Sequence, residues 1–110
     1  MNDQLLLEWI QSCISANRFT ITEHAQTKHP LQEGFKVRDA VMSILYGSVI
    51  AHRPDESRCT ICSQIPNLER RLEYHGAFIH NVVKYDQVTN IIIITMYRPR
   101  IDQWETPQRR

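Results

Sequence analysis

The run of four isoleucines from Ile91 to Ile94 constrains the fold more than any other feature of the sequence. Side chains alternate between the two faces along a strand. Consecutive apolar residues therefore indicate a strand that is covered on both sides, as in the centre of a sheet. A second β-rich run, FIHNVVKY (78–85), is joined to it by the short segment DQVTN. The two runs predict a hairpin of antiparallel strands at 78–85 and 91–98.

The register of this hairpin decides which side chains lie beside His80. Strict alternation divides the last strand into one face with Thr95 and Tyr97 and another with Met96 and Arg98. A four-residue loop sets His80 opposite Thr95, and a five-residue loop sets it opposite Met96. The sequence leaves both registers open.

Apolar residues at helical spacing predict two main helices before the hairpin. The first covers residues 2–17 with a cap at its start, and the second covers 36–46 and stops at a left-handed Gly47. Their apolar stripes consist of Leu6, Trp9, Ile10, Cys13 and Ile14 in the first helix, and of Val37, Ala40, Val41, Ile44 and Leu45 in the second. Between them lie a short extended piece at 18–22 and the short helix EHAQTKH, capped by Thr22 and ended by Pro30, with LQEGF as a loop.

The remaining segments complete an α+β pattern. Residues 48–52 and 58–63 read as strands, and 67–76 as a short helix with Leu68 and Leu72 facing inward. Residues 100–110 form a tail, whose last five residues, TPQRR, are expected to be frayed. Helices followed by an antiparallel sheet predict one domain, 1–110, with N-terminal helices packed on about four strands. The other sheet face is expected to be partly open, and polar side chains of the last two strands would collect there.

Composition excludes several classes of protein. The 110 residues suffice for one domain, and the longest apolar run is far shorter than a membrane span. The start of the chain lacks the basic region and cleavage site of a signal peptide, and three cysteines do not form a disulfide framework, so a cytoplasmic location is expected. The net charge of +1 argues against an extended nucleic-acid surface but permits a small basic cleft.

Histidines supply the candidate chemistry because their side chains titrate near neutral pH. His24 opens the short helix with Lys28 one turn later on the same face, and His80 lies on the first strand of the hairpin. Each has a structural alternative: His24 as a surface histidine on a polar helix, and His80 as a half-buried, hydrogen-bonded side chain. Tyr97 is also a good strand former, and Arg98 could be a solvated strand end.

Cys59-x-x-Cys62 has the spacing of half a zinc site. No second such pair follows, and on a regular strand these two side chains point to opposite faces. Free thiols are therefore expected, with a small metal-binding module as a weaker alternative.

Several stretches together resemble a bacterial family called domain of unknown function 4258. They are TEHAQTKH, KVRDAVMSILYGSVI, FIHNVVKYD and IIIITMYRP, which place the His-Ala pair at 24–25, a helix ending near a glycine, a histidine at 80 and the I-T-x-Y pattern at 94–97. The resemblance covers residues 19–99. The helix at 2–17 and the insertion that carries the two cysteines are additional to the family pattern.

That family is similar in fold to RelE-type toxins, which belong to a group of small metal-independent endoribonucleases. The resemblance implies an RNA-cleaving site with His24, His80, Tyr97 and Arg98 as catalytic residues and Lys28, Lys84 and Thr95 as substrate-binding residues. RNA and an antitoxin protein are the implied partners, with no cofactor and no membrane. A non-catalytic interaction domain of the same fold is the alternative.

Overall fold

The computed structural model describes residues 2–85 and 89–110. Its helices are α1 (Asp3–Ser15), α2 (Glu23–Thr27), α3 (Pro30–Glu33) and α4 (Val37–Ser43), with 3₁₀ turns at Ile44–Tyr46 and Pro54–Glu56. Its strands are β1 (Phe19–Ile21), β2 (Ser48–Arg53), β3 (Arg58–Gln64), β4 (Phe78–Lys84) and β5 (Ile91–Tyr97). None of the described helices is long and apolar enough to cross a membrane.

The described strands form one sheet in the order β1-β5-β4-β3-β2. Neighbouring strands are antiparallel except β1 and β5, which are parallel. The α+β prediction is confirmed, with five strands in place of about four because the extended piece at 18–22 joins the sheet. Its position beside β5 makes the isoleucine strand an inner strand, as the sequence indicates.

The core lies between one face of the sheet and the two main helices. Asn2 caps the start of α1, because its side-chain oxygen accepts a hydrogen bond from the backbone N–H of Leu5 at 2.8 Å. The chain turns after α1 at Asn17, with φ of 59°. The predicted stripes of both helices contribute to the core: Leu6, Ile10, Cys13, Ile14, Ala40, Val41 and Ile44 are buried, and Trp9, Val37 and Leu45 are partly buried against them. The fold is therefore built on the helical periodicity that the sequence displays.

Two segments have a secondary structure different from the predicted one. The segment 67–76 forms turns and no helix, and Leu72 is 95% exposed. The LQEGF segment is partly helical, since α3 runs from Pro30 to a left-handed Gly34 (φ 75°). Proline has the φ angle of a first helical residue, so Pro30 starts α3 as well as ending α2.

Gly47 is also not a left-handed stop. Its backbone is extended (φ −96°, ψ −177°), and the main helix closes with a 3₁₀ turn. A Cβ at this position would lie 2.7 Å from Cγ2 of Ile61 and 2.9 Å from the carbonyl oxygen of Cys62. Glycine is required there because the chain passes against β3, and no left-handed turn is involved.

The β4–β5 hairpin has the register predicted for a five-residue loop only in the part next to the loop. Near the loop, Val83 pairs with Ile93, whereas further along Val82 pairs with Thr95 and His80 with Tyr97. Ile94 is therefore an extra residue, a β-bulge that shifts the pairing by one. Part of the loop, residues 86–88, lies outside the described residues.

The bulge also reassigns the faces of β5. Ile91, Ile93 and Met96 are buried in the core, so the alternation predicted for this strand fails after Ile93. Tyr97 thereby shares the opposite, open face with His80.

We predict that Ile44→Ala lowers the free energy of unfolding by about 2–5 kcal/mol, because Ile44 is fully buried beneath the sheet. Denaturant titration would measure the change. Leu72→Ala is the matched control and should have an effect within about 0.5 kcal/mol, since that side chain is exposed. Equal effects at the two positions would contradict the described core.

Candidate functional site

A row of polar side chains crosses the open face of the sheet. Cys62 of β3 pairs with His80 of β4, which pairs with Tyr97 of β5. Residues directly opposite one another in a sheet share a face, so these three side chains lie side by side.

The C-terminal segment covers this row and is not frayed as predicted. The indole ring of Trp104 packs edge-on against His80, with ring centroids 4.4 Å apart. The Trp104 carbonyl accepts a hydrogen bond from Nε2 of His75 at 2.7 Å, and the Pro107 carbonyl lies 3.6 Å from the thiol of Cys62. Residues 104–107 therefore form part of the site.

His80 is completely buried and both its ring nitrogens are engaged. Nε2 lies 2.6 Å from the Pro107 carbonyl, which can only accept, so Nε2 carries the proton. Nδ1 is then the acceptor for the hydroxyl of Tyr97 at 3.3 Å. Burial lowers the pKa of His80 to about 4, so the ring is neutral at pH 7. His80 acts here as a fixed acceptor that orients Tyr97.

Tyr97 lies between two histidines. Its ring centroid is 5.2 Å from that of His80 and 6.0 Å from that of His29. Burial raises the pKa of the phenol, so the hydroxyl keeps its proton and serves as a hydrogen-bond donor.

His29 is held by a buried carboxylate. Nδ1 of His29 lies 2.5 Å from Oε2 of Glu33, one helical turn later, while Oε1 of Glu33 accepts the backbone N–H of Arg98 at 2.6 Å. A ring held in this way through Nδ1 presents Nε2 for proton transfer, the arrangement of an oriented general base. The His29 side chain is 25% exposed, so solvent or a substrate can reach it.

His24 completes a series of aromatic rings. It is exposed in the first turn of α2, where Thr22 caps the helix by accepting the Ala25 N–H at 3.1 Å. Its ring centroid is 6.5 Å from that of His29. We call His24, His29, Glu33 and Tyr97, with His80 behind Tyr97, the acid–base cluster.

Arg98 has a different environment from the one expected of a phosphate ligand. It is 1% exposed, and its guanidinium donates to the carbonyls of Glu33 (3.1 Å), Glu69 (3.0 Å) and Gly76 (2.9 Å). The guanidinium also lies 4.7 Å from the ring centroid of Tyr74. These bonds direct the guanidinium into the protein, which favours a structural role for Arg98 over the predicted contact with a phosphate.

The three expected substrate-binding residues are dispersed. Lys28 is exposed at the end of α2, beside His24 in the helix. Thr95 is half-buried on β5 opposite Val82, and Lys84 lies at the far end of β4 opposite Arg58. Lys28 caps the end of α2, which carries His24. Thr95 lies on the same strand as Tyr97, and Lys84 lies on the same strand as His80.

The two cysteines of the CxxC motif point to opposite faces of β3. Cys59 belongs to the core, whereas Cys62 contacts Pro107 on the open face. Burial raises the pKa of the Cys59 thiol to about 12 and that of Cys62 to about 11, so both keep their protons at neutral pH. Within residues 2–85 and 89–110, no group of three histidine, cysteine or acidic side chains could hold a metal ion.

Sequence reasoning missed His29, Glu33 and Trp104. His29 before Pro30 has the pattern of a loop edge, although its i,i+4 spacing to Glu33 is a detectable signal once α3 is recognised. Trp104 carries no local signal, because its contact with His80 joins residues that are far apart in the chain.

Comparison of the chain with protein-family models, with curated proteins and with solved structures found no match. The site is therefore interpreted from its own geometry.

We predict that His80 makes the free energy of unfolding decrease at acidic pH. The unfolded chain takes up a proton near the ordinary pKa of 6.5, whereas the folded protein resists it until about pH 4. The free energy of unfolding should thus fall as pH decreases from 6.5 to 4, by up to about 3 kcal/mol from this group. Denaturant titrations across that range would measure it.

The control for this prediction is His80→Gln, which can still donate to the Pro107 carbonyl but does not titrate. Its stability should decrease less between pH 6.5 and 4 than that of the wild type. Parallel pH profiles for the two proteins would contradict a depressed pKa at His80.

Proposed function

We propose that the protein is a metal-independent endoribonuclease that cleaves single-stranded RNA at the acid–base cluster. The observation that carries the proposal is a histidine oriented by a buried carboxylate, His29 on Glu33, next to a tyrosine hydroxyl that a second histidine holds. Cleavage of RNA without metal requires a base, an acid and hydrogen-bond donors to the phosphate, and this cluster contains all three types of group.

In the proposed reaction, Nε2 of His29 removes the proton from a ribose 2′-hydroxyl. The 2′-oxygen attacks the adjacent phosphorus, and the bond from phosphorus to the 5′-oxygen breaks. Protonated His24 donates a proton to that leaving oxygen, so the products are a 2′,3′-cyclic phosphate and a 5′-hydroxyl end. Tyr97 has a single O–H, so on RNA binding it turns from Nδ1 of His80 to donate a hydrogen bond to a non-bridging phosphate oxygen. Lys28 adds positive charge beside His24.

The role of His80 differs from the one that the family resemblance implies. A neutral, fully buried imidazole with both nitrogens bonded does not exchange protons with a substrate in this conformation. We assign it to positioning, since its Nδ1 directs the hydroxyl of Tyr97.

A non-catalytic interaction domain is the second candidate, and exposed leucines favour it. Leu31 is 93% exposed on α3 and Leu72 is 95% exposed on the 67–76 segment. Arg71 joins these two segments by donating to the Gln32 carbonyl at 2.9 Å. Exposed apolar side chains on adjoining segments are typical of a surface that binds another protein.

We predict that the purified protein cleaves single-stranded RNA in the presence of a metal chelator. His29→Ala should reduce the cleavage rate by roughly 10²-fold or more, which is typical of a lost general base. Tyr97→Phe should reduce the rate while preserving the fold, because only a hydroxyl is removed. The 2′,3′-cyclic phosphate ends can be identified by mass spectrometry.

Tyr46→Phe is the matched control for Tyr97→Phe, since Tyr46 is 88% exposed and lies outside the cluster. It should leave the rate unchanged. If the wild type does not cleave RNA, or if His29→Ala cleaves at the wild-type rate, the ribonuclease proposal is wrong and the interaction domain becomes the leading function.

A further inference from the structure

A groove on the open face of the sheet begins at Tyr97 and runs towards the β2–β3 turn. It encloses about 240 Å³. Its floor is a row of small and apolar residues in register on three strands, formed by Ala51, Thr60 and Val82. Such a floor leaves the longer side chains at the groove's ends to determine what it binds.

Positive charge concentrates at the turn end of this groove. Arg53 and Arg58 are directly opposite each other on β2 and β3, and Lys84 is opposite Arg58 on β4. Like charges that face each other across strands destabilise a sheet. Arg53 has a partner in Glu56 at 3.3 Å, but among the residues that the structure describes no ion pair involves Arg58. This arrangement favours an external anion.

The other end of the groove reaches the acid–base cluster. Tyr97 lines it together with Trp104 and Arg110. The Arg110 guanidinium lies 4.6 Å from the ring centroid of Trp104, which fixes the cation beside the site. Burial raises the pKa of Tyr97 while the charge of Arg110 acts in the opposite direction, consistent with their proximity.

The distance between the two ends suits an extended ligand. Arg58 and Cys62 are four residues apart on β3, and Cys62 lies in the same row as Tyr97. Four residues of a strand span about 13 Å, so one phosphate group cannot contact both ends. A chain with several phosphates can.

We propose that this arginine groove, with Arg53, Arg58 and Arg110 as its cations, binds the phosphates of single-stranded RNA next to the cleaved linkage. The identity of the ligand as RNA rests on the proposed function. Guanidinium groups bind phosphate oxygens in pairs of hydrogen bonds, and the three in this cleft outnumber its one acidic side chain, Glu56, although the whole chain carries only +1. The groove would thus set the direction in which the RNA crosses the sheet.

The test uses a fluorescein-labelled RNA of about ten nucleotides whose 2′-hydroxyls are methylated, so that it binds but is not cleaved. Arg58→Gln should weaken its binding roughly tenfold or more in low salt. The slope of log affinity against log salt concentration should also decrease by about 0.7 for each lost phosphate contact. Fluorescence anisotropy would measure both quantities.

Arg70→Gln is the matched control, because Arg70 is an exposed arginine outside the groove. It should retain the wild-type affinity and salt dependence. Equal effects of Arg58→Gln and Arg70→Gln on binding would contradict the proposed groove. It would also be contradicted if uridine monophosphate displaced the labelled RNA at the same concentration as unlabelled RNA does.

The two proposals fail separately. If the wild type cleaves RNA and Arg58→Gln binds the methylated RNA normally, the groove is wrong while the ribonuclease proposal stands. If Arg58→Gln loses binding and the wild type does not cleave RNA, the groove is supported and the ribonuclease proposal is wrong.

Discussion

The carboxylate of Glu33 is the constraint on which the site depends. One of its oxygens accepts the backbone N–H of Arg98 and the other holds His29. The side chain of Arg98 in turn donates to the carbonyls of Glu33, Glu69 and Gly76. The end of β5, helix α3 and the 67–76 segment are thus tied together by polar groups that would be costly to bury without partners. This network fixes the orientation of His29, the candidate general base of the acid–base cluster.

The bulge at Ile94 determines which side chains of β5 face the core and which face the site. It lets β5 keep Ile91, Ile93 and Met96 in the core while turning Tyr97 to the open face beside His80. A regular strand that kept Ile91 and Ile93 in the core would place Met96 on the open face and Tyr97 in the core. Bulges are frequent next to active sites, where the local bend of the strand redirects a side chain.

The C-terminal segment covers part of the open sheet face, so His80 and Tyr97 are shielded from solvent while His24 is not. Trp104 and Pro107 exclude water from His80, so its imidazole is neutral, whereas His24 remains exposed at the start of α2. In the proposed reaction, proton transfer therefore belongs to the accessible histidines, and the buried one orients Tyr97. The arginine groove extends from the same covered end, where Arg110 lies against Trp104.

The sequence by itself determined the elements that rest on local periodicity and capping. The stripes of α1 and α4, the caps at Asn2 and Thr22, and the hairpin strands at 78–85 and 91–98 all follow from residue spacing, because burial imposes periods of 3.6 and 2. The α+β class follows from their order along the chain. His80 and Tyr97 were also recognised as neighbours in one of the open registers.

Only the tertiary structure decided the rest. The bulge at Ile94, the pairing of β1 with β5, the burial of Arg98 and the packing of Trp104 on His80 depend on contacts between residues distant in sequence. Local patterns carry no information about such contacts, since a histidine before a proline or an arginine at a strand end looks the same whether solvent or a buried carboxylate lies beside it. The sequence therefore shows which residue types could transfer protons, and only the tertiary structure shows which of them lie together in the acid–base cluster.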